Sequence, residues 1–208
     1  MIIAKHEIKF PESFDEMVSS MLLCEQTRGQ TVYQHGQSVL KHFNEIRDSI
    51  EINHELSEDN WKIPDWLKIY GSEIMSNVHN HELVSEYLIF HDLGKPFCRI
   101  QENGVTRFPN HAEISKSIWM RLGGSEIVGN LIGWDMDIHT STSEDISRKL
   151  LGEWSMKDAC TLLLASLAEL HSNSKMFGGI SSISFKSKWK NIDRRGKQIC
   201  KTLFGEKL

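Results

Sequence analysis

The run His91-Asp92-Leu93-Gly94-Lys95-Pro96 sets an imidazole beside a carboxylate and adds a lysine three residues later. An imidazole and a carboxylate together suit a transition metal of the Zn, Mn or Fe type rather than Ca or Mg. Adjacent helical residues point about 100° apart, so both can reach one ion only where it lies near a helix end. Three further histidines and one carboxylate stand where they could join the pair: His35, His111, His139 and Glu169. Glu169 closes the stretch Leu162-Leu163-Leu164-Ala165-Ser166-Leu167-Ala168. Burying an unpaired carboxylate is costly, so Glu169 either reaches water or binds something. Each residue alone has an ordinary reading. A bare His-Asp dipeptide more often makes a simple hydrogen bond, and a lone histidine on an apolar stripe is more often structural. No Ser-His-Asp or Cys-His arrangement for covalent catalysis is visible.

The elements that must position these groups read as helices. Leu83, Val84, Tyr87, Leu88 and His91 recur at helical spacing, which puts the His-Asp pair in the last turn of a buried helix. Gly94 and Pro96 are expected to stop it, Gly as a left-handed cap and Pro by lacking an N–H. Upstream, residues 12–27 read as a helix with Phe14, Val18, Met21 and Leu22 on one face, ended by Arg28-Gly29. Thr31 can cap a helix to about Ile50, on which His35, Val39, Phe43 and Ile46 share the inward side. Residues 51–64 read as a loop and 65–78 as a helix. Downstream, residues 97–101 and 105–108 flank Glu102-Asn103-Gly104, a hairpin with an Asn-Gly turn. Pro109-Asn110 opens a helix from His111 to about Leu122. Ser125 caps another to about Asp137, with His139 just past its end. Ser143 to Leu151 and Ser155 to His171 complete the series before Gly178-Gly179. The fold class expected is all-α, one domain over residues 1–208, with one small β-hairpin after the His-Asp helix.

Composition agrees with a globular chain. At 208 residues, 39% hydrophobic and 25% charged, it can bury a sizeable core. No run of about 18 apolar residues suggests a membrane span, and Met1-Ile2-Ile3-Ala4-Lys5-His6 does not read as a signal peptide. Four scattered cysteines, without a C-x-x-C, fit a reduced, cytoplasmic setting. The net charge of −4 hides an asymmetry. Residues 181–208 carry eight Lys and Arg against Asp193 and Glu206, a balance of +6 that leaves −10 for the rest. Phe185, Trp189, Ile192, Ile199 and Leu203 make this tail an amphipathic helix. Its basic face is either simply solvated or a surface for nucleic acid.

Taken together, His35, the His91-Asp92-x-Gly94-Lys95 run, the histidine heading Phe108-Pro109-Asn110-His111-Ala112-Glu113-Ile114-Ser115, and His139 after an apolar helix resemble the HD-domain metal-dependent phosphohydrolases. Residues 91–115 look most like the HD domains appended to CCA-adding tRNA nucleotidyltransferases, whose nucleotidyltransferase part is absent. The resemblance covers about residues 31–175. It implies one or two divalent ions (Mn, Mg, Zn, Ni, Co or Fe). His35, His91, Asp92 and Glu169 would hold one, and His111 and His139 a second, bridged by Asp92. The family's last ligand is usually Asp; here the matching position is Glu169, with Asp135 and Asp137 as alternatives. It further implies metal-activated hydroxide attack on a phosphate ester, such as a nucleotide, a cyclic nucleotide or an RNA terminus. Lys95 would stabilise the phosphoryl charge, and Arg99, Arg107 and Lys116 are weaker phosphate contacts. A di-iron oxygenase of HD type and a non-catalytic nucleotide-binding module are the competing expectations. Neither substrate identity nor oligomeric state is fixed by the sequence.

Overall fold

The computed structural model describes residues 10–27 and 29–206. The opening residues, Arg28 and Lys207, all weighed above, lie outside them. The element order is α1 (Phe14–Leu23), β1 (Glu25–Thr27), β2 (Gln30–Thr31), α2 (Val32–Glu51), α3 (Asp65–Ser76), α4 (His81–Phe90), α5 (Lys95–Cys98), β3 (Ile100–Glu102), β4 (Val105–Arg107), α6 (His111–Arg121), α7 (Glu126–Trp134), α8 (Asp137–Thr140), α9 (Ser143–Gly152), α10 (Met156–Ser172) and α11 (Ile183–Phe204). The fold is all-α with two small antiparallel hairpins.

The most apolar sequence becomes the centre. Every residue of α10 from Ala159 to Ala168 is buried, as is Leu170, so this helix is covered all round rather than amphipathic. Ser155 starts it with a capping box shared with Asp158. The helix α2 lies along it, opened by the Thr31–Gln34 capping box and burying Val32, His35, Val39, Phe43 and Ile46. The two helices run parallel: His35 faces Glu169, and Ser38 meets Ser172, both advancing by three. The helix α4 also packs against α2, and α11 closes the bundle with Phe185, Ile192 and Ile199 buried.

Three local expectations are corrected. The first helix ends at Leu23, and Glu25–Thr27 turns back through Gly29 (φ +79°) to pair with Gln30–Thr31. This second hairpin is too short to leave a period-two signal. Gly94 is not a left-handed cap: its φ of −79° is right-handed, and Pro96 sits in the first turn of α5, where its missing N–H costs nothing. Asn110, just before α6, is left-handed instead (φ 54°). Lastly, His139 lies within its own short helix α8, set off from α7 by a break at Asp135 and Met136.

Part of the basic tail is spent internally. Arg195 is buried and donates to the Ser141 carbonyl, Lys197 pairs with Asp193 at 2.9 Å, and Lys201 with Glu206 at 2.9 Å. Among the described residues no helix is long and apolar enough to cross a membrane. All four cysteines are free and buried.

Candidate metal centre

Two close backbone approaches bring the site together. A Cβ on Gly36 would stand 2.3 Å from the Ile89 carbonyl oxygen, so α2 and the last turn of α4 touch only because residue 36 has no side chain. That contact sets His35 beside His91. A Cβ on Gly94 would stand 2.6 Å from the Ser115 nitrogen and 2.8 Å from the His111 carbonyl oxygen. The Gly94 N–H also donates to the Ser115 hydroxyl at 2.8 Å. The exit from α4 is thereby pressed onto the first turns of α6, and His111 arrives at Asp92.

The side chains then converge. His35, His91 and Glu169 each offer a ligand atom within 4.8 Å of the others. His35 Nε2 is 3.6 Å from Asp92 Oδ2 and 3.9 Å from Glu169 Oε1. His91 Nε2 is 3.2 Å from the same Asp92 oxygen, and His111 Nε2 is 3.4 Å from the other, Oδ1. His139 Nε2 meets Glu169 Oε2 at 3.0 Å. His91 and His111 share one wiring: Nδ1 donates to the carbonyl three residues back, of Leu88 at 2.9 Å and of Phe108 at 3.0 Å. In the neutral ring this fixes the tautomer and leaves Nε2 as the lone-pair nitrogen in both. His35, His91 and Asp92 are buried, while the side chains of His111, His139 and Glu169 keep 19%, 20% and 17% exposure. The cluster therefore opens to solvent on that side.

The electrostatics favour a cation. Burial pushes the His35 imidazolium down, to about 4, against the pull of Asp92. Burial would lower His91 too, but Asp92, with Asp135 and Glu169 behind it, carries it up to about 10. Burial opposes ionisation of Asp92, yet His91 and Lys95 hold its carboxyl well below the usual range. Glu169 behaves likewise, held low mainly by its hydrogen bond to His139. Asp135 shifts the other way, raised by burial and by the nearby Glu169 and Asp92 charges.

Lys95 is buried beside Asp92, donating to Oδ2 and, at 3.1 Å, to Gln26 Oε1 of the first hairpin. Three donors less two leaves one for a further partner. Of the alternative carboxylates, Asp137 is taken by Lys149 at 2.9 Å, and Asp135 accepts from the Tyr87 hydroxyl at 2.6 Å. Arg99, between α5 and β3, and Arg107, on β4, are exposed, and Arg107 lies 3.6 Å from Glu102. Lys116 donates to Asn130 at 2.8 Å and ties α6 to α7. Sequence spacing did not find Gln26, nor the buried Tyr87–Asp135 pair packed behind His91. These contacts join elements 48 and 69 residues apart, with no periodicity to announce them.

The residues present could hold a metal ion. Both ring nitrogens of His35 and Nε2 of His91 are buried with no hydrogen-bond partner, although carboxylate oxygens lie 3–4 Å away. Buried polar atoms left unbonded are rare and costly, whereas a shared ion would use one lone pair of each ring, that of His35 and that of His91. Comparison with known proteins adds no family: no family model, no curated protein and no solved structure matches the chain.

Proposed function

We propose that the chain is a metal-dependent phosphohydrolase of HD type, acting on a phosphate ester such as a nucleotide. The observation that carries this reading is the idle, fully buried His35, facing His91, Asp92 and Glu169 from a different helix. His35, His91, Asp92 and Glu169 would hold a divalent ion, with His111 and His139 on the exposed side for a second. When bound, such ions polarise phosphoryl oxygens and lower the pKa of water toward neutrality. Asp92 divides its two oxygens between the inner histidines and His111, which is what a bridging carboxylate must do. Lys95, held in place by Asp92 and Gln26, keeps one N–H to meet charge developing on a phosphoryl oxygen. Burial keeps water from His35 and His91, while His111, His139 and Glu169 stay part-exposed where a substrate can enter.

The test is a screen of the protein, supplemented in turn with Mn, Mg, Zn, Ni, Co and Fe, against mononucleotides, cyclic nucleotides and small phosphomonoesters. Release of phosphate or nucleoside is expected, with label from ¹⁸O-water appearing on the phosphorus product. Replacing His91 and Asp92 together with Ala should remove both metal and hydrolysis. Stoichiometric metal in that double variant would refute the ligand assignment. Iron accompanied by oxygen uptake, with no ester cleaved, would refute the reaction.

A further inference from the structure

A second hollow lies alongside the metal centre, and none of the metal-ligand candidates lines it. It encloses about 950 Å³ between α2, the 52–64 loop and the end of α10, a volume typical of small-molecule sites. One wall continues the stripe of α2 that bears His35: Ser38, His42 and Glu45 follow at three, seven and ten residues. The hollow thus begins about one helical turn, roughly 5.4 Å, beyond that histidine. On the facing helix Ser172 stands three residues past Glu169, and its hydroxyl donates to that of Ser38 at 2.9 Å. Gln30 bounds the hollow from the hairpin whose Gln26 touches Lys95.

The lining has a particular chemistry. Trp61 and His42 supply two rings with centroids 5.6 Å apart. Trp61 is fixed by stacking on His171 at 4.3 Å and by donating to Glu45 at 3.2 Å. His42 is fixed by its Nδ1–H donating to the Ser38 carbonyl at 2.8 Å, which leaves Nε2 to accept. Lys41 and Lys175 are matched by Glu45 and Glu55, so the lysines and carboxylates of the lining cancel. A polyphosphate or an acidic peptide would need excess positive charge, and an acyl chain would need an apolar wall. Rings, hydroxyls and amides without net charge suit a neutral, planar, hydrogen-bonding ligand.

We infer that this hollow receives the nucleoside part of a nucleotide whose phosphate lies at the metal centre, an inference that rests on the phosphohydrolase reading. Adenosine, guanosine, cytidine and uridine have no phosphate to anchor or cleave, so calorimetric titration of the metal-loaded protein with each isolates the hollow. At least one should bind with a Kd below about 1 mM. Ser38→Leu, which narrows the hollow at its end nearest His35, and His42→Ala, which removes part of its wall, should each weaken it at least tenfold while metal content stays stoichiometric. If Ser38→Leu does not fold, His42→Ala decides alone. No binding by any of the four nucleosides, or equal binding by the variants, overturns the inference. Nucleoside binding in a protein that cleaves no ester would leave the hollow standing and refute the reading of the metal centre. Nucleotide hydrolysis with KM unchanged in both variants would do the reverse.

Discussion

His171 and His35 are buried alike and wired oppositely. His171 donates from Nδ1 to the Leu167 carbonyl at 2.8 Å and accepts the Lys62 N–H on Nε2 at 3.1 Å, so burial, which lowers it to about 4, leaves a satisfied neutral ring. His35 has neither bond. The first is a structural histidine and the second has the signature of a ligand, a distinction that spacing alone could not draw. Glu169 is the carboxylate on which the site turns, since Asp137 is already committed to Lys149. Glu169→Gln should therefore weaken metal binding at least about tenfold in competition with a chelating dye, and Asp137→Asn should not; the reverse pattern would move the ligand to Asp137. Lys95 can be separated from metal holding in the same way. Removing one preorganised charge contact costs about 10²–10³ in rate, so Lys95→Ala should lose that much kcat at unchanged metal content. A variant that loses metal in step with activity would make Lys95 a prop for Asp92 instead. The doublet, His35 and Glu169 were legible as residue types at helical spacing. Gln26 and the Tyr87–Asp135 pair were not, because their partners come from distant elements.

Helix order and the inward faces were equally legible, since period and capping boxes are local properties. What the sequence hid was the reason for its glycines. Gly94 reads as a helix stop, yet it is right-handed and matters for its closeness to α6. Gly36, which the sequence reading did not single out, carries the ordinary cost of a glycine inside a helix and is the point where α2 meets the Ile89 carbonyl. A methyl group there has no flexible side chain to push aside, only backbone, so α2 must shift from α4. Gly36→Ala should cost stability on the order of 1–3 kcal/mol by overpacking and should weaken metal binding, because His35 moves with its helix. Gly152→Ala, at the end of α9, is the control: nothing lies within 4 Å of its new Cβ. Denaturant melts and metal titrations of the pair give the answer. Equal behaviour of the two variants would mean that the contact does not position His35.

At the scale of the molecule the candidate ligands come from five elements, His139 being supplied by α8. His35 belongs to α2, His91 and Asp92 follow α4, His111 opens α6, and Glu169 lies near the end of the central α10. An ion held by His35, His91, Asp92 and Glu169 would cross-link α2, the end of α4 and α10, and a second would add α6 and α8; the first would also give Nε2 of His35 and of His91 the partner each lacks in a dry interior. Because the ligands come together only in the folded chain, binding energy becomes folding energy. Free metal at a hundredfold over its Kd stabilises by about 2.7 kcal/mol. For a domain of this size each 1 kcal/mol moves Tm by about 2–4 °C. Chelation should therefore lower the melting temperature by roughly 5–10 °C, and readdition should restore it. The His91→Ala, Asp92→Ala double variant should melt at one temperature with or without chelator. Calorimetric scans decide the matter independently of any substrate. A wild-type Tm indifferent to chelation would leave the buried, unbonded His35 without an ion to justify it, whereas a metal shift surviving in the double variant would place the ion elsewhere in the fold.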